Sequence, residues 1–462
     1  MTHKLTFSVA AIIVAALVLV PLTIVHAASF TIETSRVSEG GTHDAPIQGD
    51  DDSDDADVSD DGRYVVFESD AANLITGDTN GYGDIYFVDR QSHTIERISD
   101  AGTEASPVES DSDSYEPKMS DDGQIIVFES YASNLVSGDT NGNTDIYIFD
   151  RSTHTMERVM GGTSGSPVEP DGSAADPSVS ADGRYVAFYS DSTNLVAGDT
   201  NGYADIFVFD RQTHTTERVS EGGTSGSPVQ HTTDECLDEE TSISDDGNYV
   251  VFSMCSDADG LVAVDTNGEG DVYVFERSTH TLSFASVAGT SGSLVYGDDR
   301  SDDGVISGNG QFIVFESEAD NFDVSNTNTG DTNIFVFDRV NHVTQMINLG
   351  GTSSTPIYPD DDSNDPSISD DGQYIAYEQD SDLLLATDTN TEQDVYVFDR
   401  VNHMAQRISI NSTTDPLIEN DDSSSEPAIS GDGSIVAYTA ESDAMLSADT
   451  NGSYDIYATD DI

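Results

Sequence analysis

The sequence predicts an all-β fold, a seven-bladed β-propeller of four-stranded antiparallel blades closed by its N-terminal strand, and three observations predict it. One phrase, Asp78-Thr79-Asn80-Gly81-Tyr82-Gly83-Asp84-Ile85-Tyr86, returns from Asp139, Asp199, Asp265, Asp388 and Asp449, with a worn copy at Thr327 to Asn333, at intervals of 60 to 66 residues. A fixed period of this size means stacked or radial copies of one supersecondary unit. Each unit holds four short apolar runs separated by turn residues, the pattern of a four-stranded blade. Fourth strands close the count. Six follow Arg90, Arg151, Arg211, Arg277, Arg339 and Arg400, while the chain stops at Ile462 before a seventh, and Phe30 to Ser38 (FTIETSRVS) matches HTIERIS at His93 to Ser99. The N-terminal strand is therefore expected to complete the last blade and leave no full-length open sheet edge.

In the third unit the strands are expected at Pro177 to Ser180, Tyr185 to Tyr189, Asp205 to Phe209 and Thr216 to Ser220. Asp182-Gly183 between the first two suits a tight hairpin, because glycine accepts the positive φ that such turns demand. The step recurs at Asp61-Gly62, Asp122-Gly123, Asp246-Gly247, Asn309-Gly310, Asp371-Gly372 and Asp432-Gly433. Ile146-Tyr147-Ile148-Phe149 and its repeats are continuously apolar and rich in β-branched and aromatic residues, as strands buried between neighbouring blades should be.

The string Ser180-Ala181-Asp182-Gly183-Arg184-Tyr185-Val186-Ala187-Phe188, followed by Asp205-Ile206-Phe207-Val208-Phe209-Asp210 and a strand ending Arg218-Val219-Ser220, resembles the TolB-like, WD-like β-propeller repeat. The resemblance covers nearly all of residues 30 to 462. It implies a binding platform rather than one particular activity, since fold does not specify function.

Residues 1 to 27 form a secretory signal by pattern: Lys4, an apolar stretch from Leu5 to Val25, and Val25-His26-Ala27 at the cleavage site. Residues 28 to 462 are then one propeller domain, expected to be secreted, periplasmic or on the cell surface, free of the membrane after cleavage, and monomeric. The chain carries 88 acidic against 16 basic residues, a formal charge of -72, with lysine only at Lys4 and Lys118. Such a field repels nucleic acid and anionic lipid. It suits either a solvating surface in saline media or a surface that gathers cations or a basic partner. Export permits a disulfide between Cys236 and Cys255, the only cysteines.

In a propeller the loops joining strands two and three, and those leading into the next blade, emerge on one face. The repeated phrase belongs to the first set. To the second belong the acidic tracts Asp50 to Asp57, Glu109 to Glu116, Glu169 to Asp176, Asp234 to Glu240, Asp298 to Asp303, Asp360 to Asp365 and Glu419 to Glu426. A protein or polysaccharide ligand is expected on this acidic loop face. Calcium takes six to eight oxygens from carboxylates, amides, backbone and water, and the sets Asp78, Asn80, Asp84; Asp139, Asn141, Asp145; Asp199, Asn201, Asp205; Asp265, Asn267, Asp271; Asp388, Asn390, Asp394; and Asp449, Asn451, Asp455 are spaced like part of a calcium loop. The same spacing serves turn chemistry, in which Asp and Asn bond their own backbone. The unit with Thr327 and Asn333 at the aspartate positions should be the weakest site.

A second recurrence is an acid four residues before the serine that ends each inner strand: Asp55, Glu116, Asp176, Glu240, Asp303, Asp365 and Glu426. Seven blades would make these a carboxylate ring at the mouth of the central channel. His93, His154, His214, His280, His342 and His403 recur between strands three and four, where radial symmetry keeps them apart and denies zinc its converging ligands. No nucleophile elbow, zinc-protease helix or phosphate loop is present. The chain therefore looks like a non-enzymatic binding module. A secreted lyase or glycosidase working at the channel mouth is the alternative.

Overall fold

The computed structural model describes residues 33–462 apart from short segments, of which 232–236, 255–260, 263–267 and 412–417 are the longest. The signal segment, both cysteines, Asp265, Asn267 and Thr327 lie outside the described residues. Seven four-stranded antiparallel sheets form the blades. Blade 1 runs from Ser53 to Arg97, blade 2 from Ser114 to Arg158, blade 3 from Ala174 to Arg218, blade 4 from Leu237 to Phe284, blade 5 from Ser301 to Met346 and blade 6 from Ser363 to Arg407. Blade 7 takes Ser424–Ile429, Ile435–Ala440 and Asp455–Asp460 from the end of the chain, and its fourth strand, Glu33–Arg36, from the beginning. Glu33 stands opposite Asp460 and Arg36 opposite Tyr457, so the closure expected from FTIETSRVS is observed. Among the described residues no helix is long and apolar enough to cross a membrane.

The cores lie between blades. Val58, Val65, Phe67 and Tyr86 of blade 1 pack with Ile435, Ala437, Ile456 and Ala458 of blade 7. Central strands buried on both faces explain the unbroken apolar runs. The hairpin glycines add a second interlock. Gly183 has φ 67°, and a Cβ there would overlap the Ile125 side chain of blade 2. Gly183→Val is therefore expected to lower the unfolding free energy by about 2–3 kcal/mol; a urea unfolding curve within 0.5 kcal/mol of wild type, taking ~0.5 as a neutral surface change, would remove the interlock.

Two features depart from the strand pattern read in the sequence. Inner strands begin about three residues earlier than expected, at Ala174 rather than Pro177 in blade 3. The cause is a bulge: pairing shifts register between Ala175 and Ser178, and Asp176 has φ 47°. A bulge interrupts the period-2 pattern by which a strand is recognised. Between blades the chain also forms small two-stranded hairpins, such as Gly161–Thr163 with Ser166–Val168, too short and polar to announce themselves as strands.

Candidate functional site

All seven inner strands line one cavity of about 470 Å³, the central channel. Their bulges set its chemistry. Asp55, Glu116, Asp176, Asp303, Asp365 and Glu426 all adopt left-handed φ of 46° to 53°, a conformation costly for a side chain with a Cβ. Six of the seven acids, all but Asp303, line this cavity. Carboxylate oxygens of Glu240, Asp303 and Asp365 lie within 4.8 Å of one another.

A second tier supports the first. Glu68 Oε2 accepts the backbone N–H of Glu116 (3.2 Å), Glu316 Oε1 that of Asp365 (2.6 Å) and Glu378 Oε1 that of Glu426 (2.6 Å). Each glutamate sits at the end of a second strand and satisfies the donor that the bulge in the next blade leaves over. Burial, then the neighbouring acids, raises the carboxyl of Asp55 to about 8, Glu68 to about 9, Glu378 to about 9 and Glu316 to about 10. This tier was missed in the sequence, although its signal was there: Phe67-Glu68-Ser69, Phe128-Glu129-Ser130, Phe315-Glu316-Ser317 and Tyr377-Glu378-Gln379 place an acid in an otherwise apolar strand.

Lys118, on the inner strand of blade 2, also lines the channel. Burial opposes its charge, but Glu116, Asp57, Asp55 and Glu240 outweigh burial and hold the ammonium above its usual range.

At the turn end of the inner strands the seven blades carry Asp60, Asp121, Ala181, Asp245, Gly308, Asp370 and Gly431 at one equivalent position. Backbone hydrogen bonds run from blade to blade here, Asp60 N to Asp121 O (3.1 Å), Asp245 N to Gly308 O (3.0 Å) and Asp370 N to Gly431 O (2.9 Å) among them. Asp121, Asp245 and Asp370 bring carboxylate oxygens within 4.8 Å of one another. The glycines make room: a Cβ at Gly308 would overlap the Asp245 carboxylate, and one at Gly431 the Asp370 carboxylate. Burial and mutual repulsion raise Asp121 to about 6 and Asp370 to about 7. No single residue type recurs at this position in the sequence, where Ala181, Gly308 and Gly431 interrupt the aspartates.

The repeated Asp-Thr-Asn-Gly loops sit on the outer face and touch the acidic tracts as expected, Thr79 N and Oγ1 donating to Glu109 at 2.6 and 2.8 Å. Their aspartates surround an arginine. Arg158 Nη1 lies 2.8 Å from Asp139 and 2.7 Å from Asp145, and Arg407 Nη1 3.0 Å from Asp388 and 2.9 Å from Asp394. Arg97 spans Asp78 and Asp84, Arg218 spans Asp199 and Asp205, and Arg36 spans Asp449 and Asp455, all within 3.6 Å. The asparagines serve the turns: Asn80 Oδ1 accepts Tyr82 N, and Asn80 Nδ2 donates to Ser110 O; Asn451 does the same with Ser453 N and Gly49 O. In blade 4, Asp271 accepts from Ser286 (2.7 Å). Blade 5 has exchanged the charged set for Asn333, Asn348 and Met346, with Asn348 Nδ2 bonding Asn333 Oδ1 at 3.1 Å.

The six histidines occupy left-handed turns with φ of 50° to 53°, each on its own blade; His154 meets the Phe149 ring edge-on at 5.0 Å. The arginines after the third strands tie blades together, as Arg90 does with Asp460 at 2.8 Å.

No protein-family model matches the chain, and no curated protein matches it. Among solved structures it is similar to an oligogalacturonate lyase from Vibrio parahaemolyticus, with TM-score 0.50 and 11% identity over 94% of each chain. A further oligogalacturonate lyase, solved in complex with manganese, has TM-score 0.49 and 10% identity, covering 93% of this chain and 96% of that one. TolB from Acinetobacter baumannii has TM-score 0.37 and 14% identity over 86% and 80%. The fold is a seven-bladed β-propeller. Its structural neighbours include TolB and other propeller proteins, and at these identities the likeness is one of fold alone.

Proposed function

We propose that this protein is an exported, non-enzymatic binding propeller whose channel holds a divalent cation, calcium by preference, and whose acidic loop face docks a cationic protein or a polysaccharide. The observation that carries the cation is the convergence of Asp121, Asp245 and Asp370 within 4.8 Å, with glycines clearing the space beside two of them. Oxygens across a calcium ion, bound at about 2.3–2.6 Å, stand roughly 5 Å apart. A bound cation would also relieve the mutual repulsion that, together with burial, raises these carboxyls. Export rests on the pattern of residues 1 to 27. A polyuronate-cleaving activity finds no support in the channel, since an acid-lined bore repels a polyanionic substrate.

A thermal melt in calcium, magnesium, chelator and sodium chloride at matched ionic strength tests the reading. A ligand bound to the native state alone adds about 2.7 kcal/mol at a hundredfold excess over its Kd. A rise specific to divalent ions, lost in the Asp121→Asn/Asp245→Asn/Asp370→Asn variant, is expected. An equal rise in every salt would reduce the acids to a solvating surface.

A further inference from the structure

In blades 2, 3 and 4 the arginine after the third strand reaches back to a glutamate on the fourth strand of the preceding blade: Arg151 to Glu96 at 3.7 Å, Arg211 to Glu157 at 2.5 Å and Arg277 to Glu217 at 2.5 Å. Blade 5 lacks this contact. Ser283 stands in blade 4 where Glu217 stands in blade 3. Arg339 donates Nη1 to Gly310 O and lies 3.8 Å over the Tyr249 ring, and among the described residues no carboxylate comes within ion-pair distance of it. The neighbouring ion pair is gone as well. Arg218 and Glu221 pair at 3.1 Å in blade 3, and Phe284 and Val287 take their places in blade 4.

These exchanges leave a cavity of about 470 Å³ in the wedge between blades 4 and 5, lined by Leu261, Leu282, Phe284, Leu294 and Tyr296 together with Arg339 and, among the described residues, by no carboxylate. The corresponding wedge between blades 7 and 1, about 530 Å³, keeps Glu33, Glu39 and Asp460 in its wall, and its arginine, Arg90, is paired with Asp460 at 2.8 Å. In a chain of charge -72, an apolar cavity with an arginine and, among the described residues, no acid in its wall is a local reversal of the surface chemistry.

We propose that this wedge binds a small apolar organic acid. Its carboxylate takes on Arg339 the place that Glu217 takes on Arg277, and its hydrocarbon part lies against Leu282, Phe284 and Leu294. The volume falls within the roughly 300–1,000 Å³ of small-molecule sites. Guanidinium matches carboxylate geometry through charge-assisted bonds, and the apolar wall supplies burial energy. The long-range field opposes anions but is screened beyond about 8 Å at physiological salt, so a single carboxylate on an apolar tail is favoured over a polyanion.

Calorimetric titration with octanoate and 3-phenylpropionate in 0.15 M sodium chloride, a buffer chosen for its ~8 Å screening length, tests the proposal against octanol as the uncharged counterpart. At least one acid should bind saturably at one site, with octanol at least about tenfold weaker, a difference of about 1.4 kcal/mol. Arg339→Gln should weaken the acid by at least about tenfold. Ser283→Glu supplies the glutamate that other blades already carry, so it should fold at least as stably as wild type and abolish binding. Failure of both acids to bind, octanol binding as tightly as octanoate, or unchanged binding in Ser283→Glu would each overturn the proposal.

Discussion

Arg158→Met is expected to lower the unfolding free energy by about 3–5 kcal/mol, the range for removing one partner of a buried ion pair. The guanidinium lies between Asp139, Asp145 and Glu169, at 2.8, 2.7 and 3.1 Å. Without it, two buried aspartates face each other with no counter-charge. The chain holds its own control: blade 5 carries Met346 and Asn333 where blade 2 carries Arg158 and Asp145, and both are buried there. The double variant Arg158→Met/Asp145→Asn should therefore recover at least half of the loss, because one charge of the stranded pair is gone with it. Urea unfolding of the two singles and the double measures the coupling directly. A single variant within the scatter of wild type would show that the arginine does not hold the loop. Restoration of Arg158→Met by millimolar calcium would return these loops to a metal.

Stability should also fall as pH rises from 5 to 9, the reverse of ordinary acid denaturation. Asp55, Glu68, Glu378 and Glu316 are raised to about 8, 9, 9 and 10, whereas unfolded carboxyls titrate near 4. Below about pH 4 both states are protonated and the contribution is complete. Between there and each raised value the native state binds more protons than the unfolded chain, so each step upward in pH favours unfolding. Depressed carboxyls, among them Asp210 at about 2, act with the opposite sign and only below the usual carboxylate range. Summed over the channel the loss is several kcal/mol in order of magnitude. Calorimetric melting at fixed ionic strength across this window checks it, and Glu68→Gln/Glu378→Gln should flatten the profile. A melting temperature that stays level or climbs from pH 5 to 9 would contradict the burial of these acids as neutral groups.

The architecture was legible because each blade repeats one local text. Asp-Gly or Asn-Gly at every first turn, an apolar third strand and the FTIETSRVS strand at the start determined seven blades and their closure, since turn geometry and strand period act over a few residues and seven copies average out the exceptions. The site was legible only in part. Recurrence picked out Asp55 and its six equivalents, but only tertiary structure places them on bulges of the inner strands, where the backbone N–H groups of Glu116, Asp365 and Glu426 donate to a glutamate one blade away. It also assigned the cation in the Asp-Thr-Asn-Gly loops to an arginine thirteen residues beyond Asp145 in blade 2. Spacing among the aspartates alone describes a hole for positive charge without saying what fills it. Asp121, Asp245 and Asp370 meet only because blades 2, 4 and 6 converge on one axis. Burial, and with it the raised carboxyls of Asp55, Glu68, Glu316 and Glu378, belongs to that convergence and not to any single repeat.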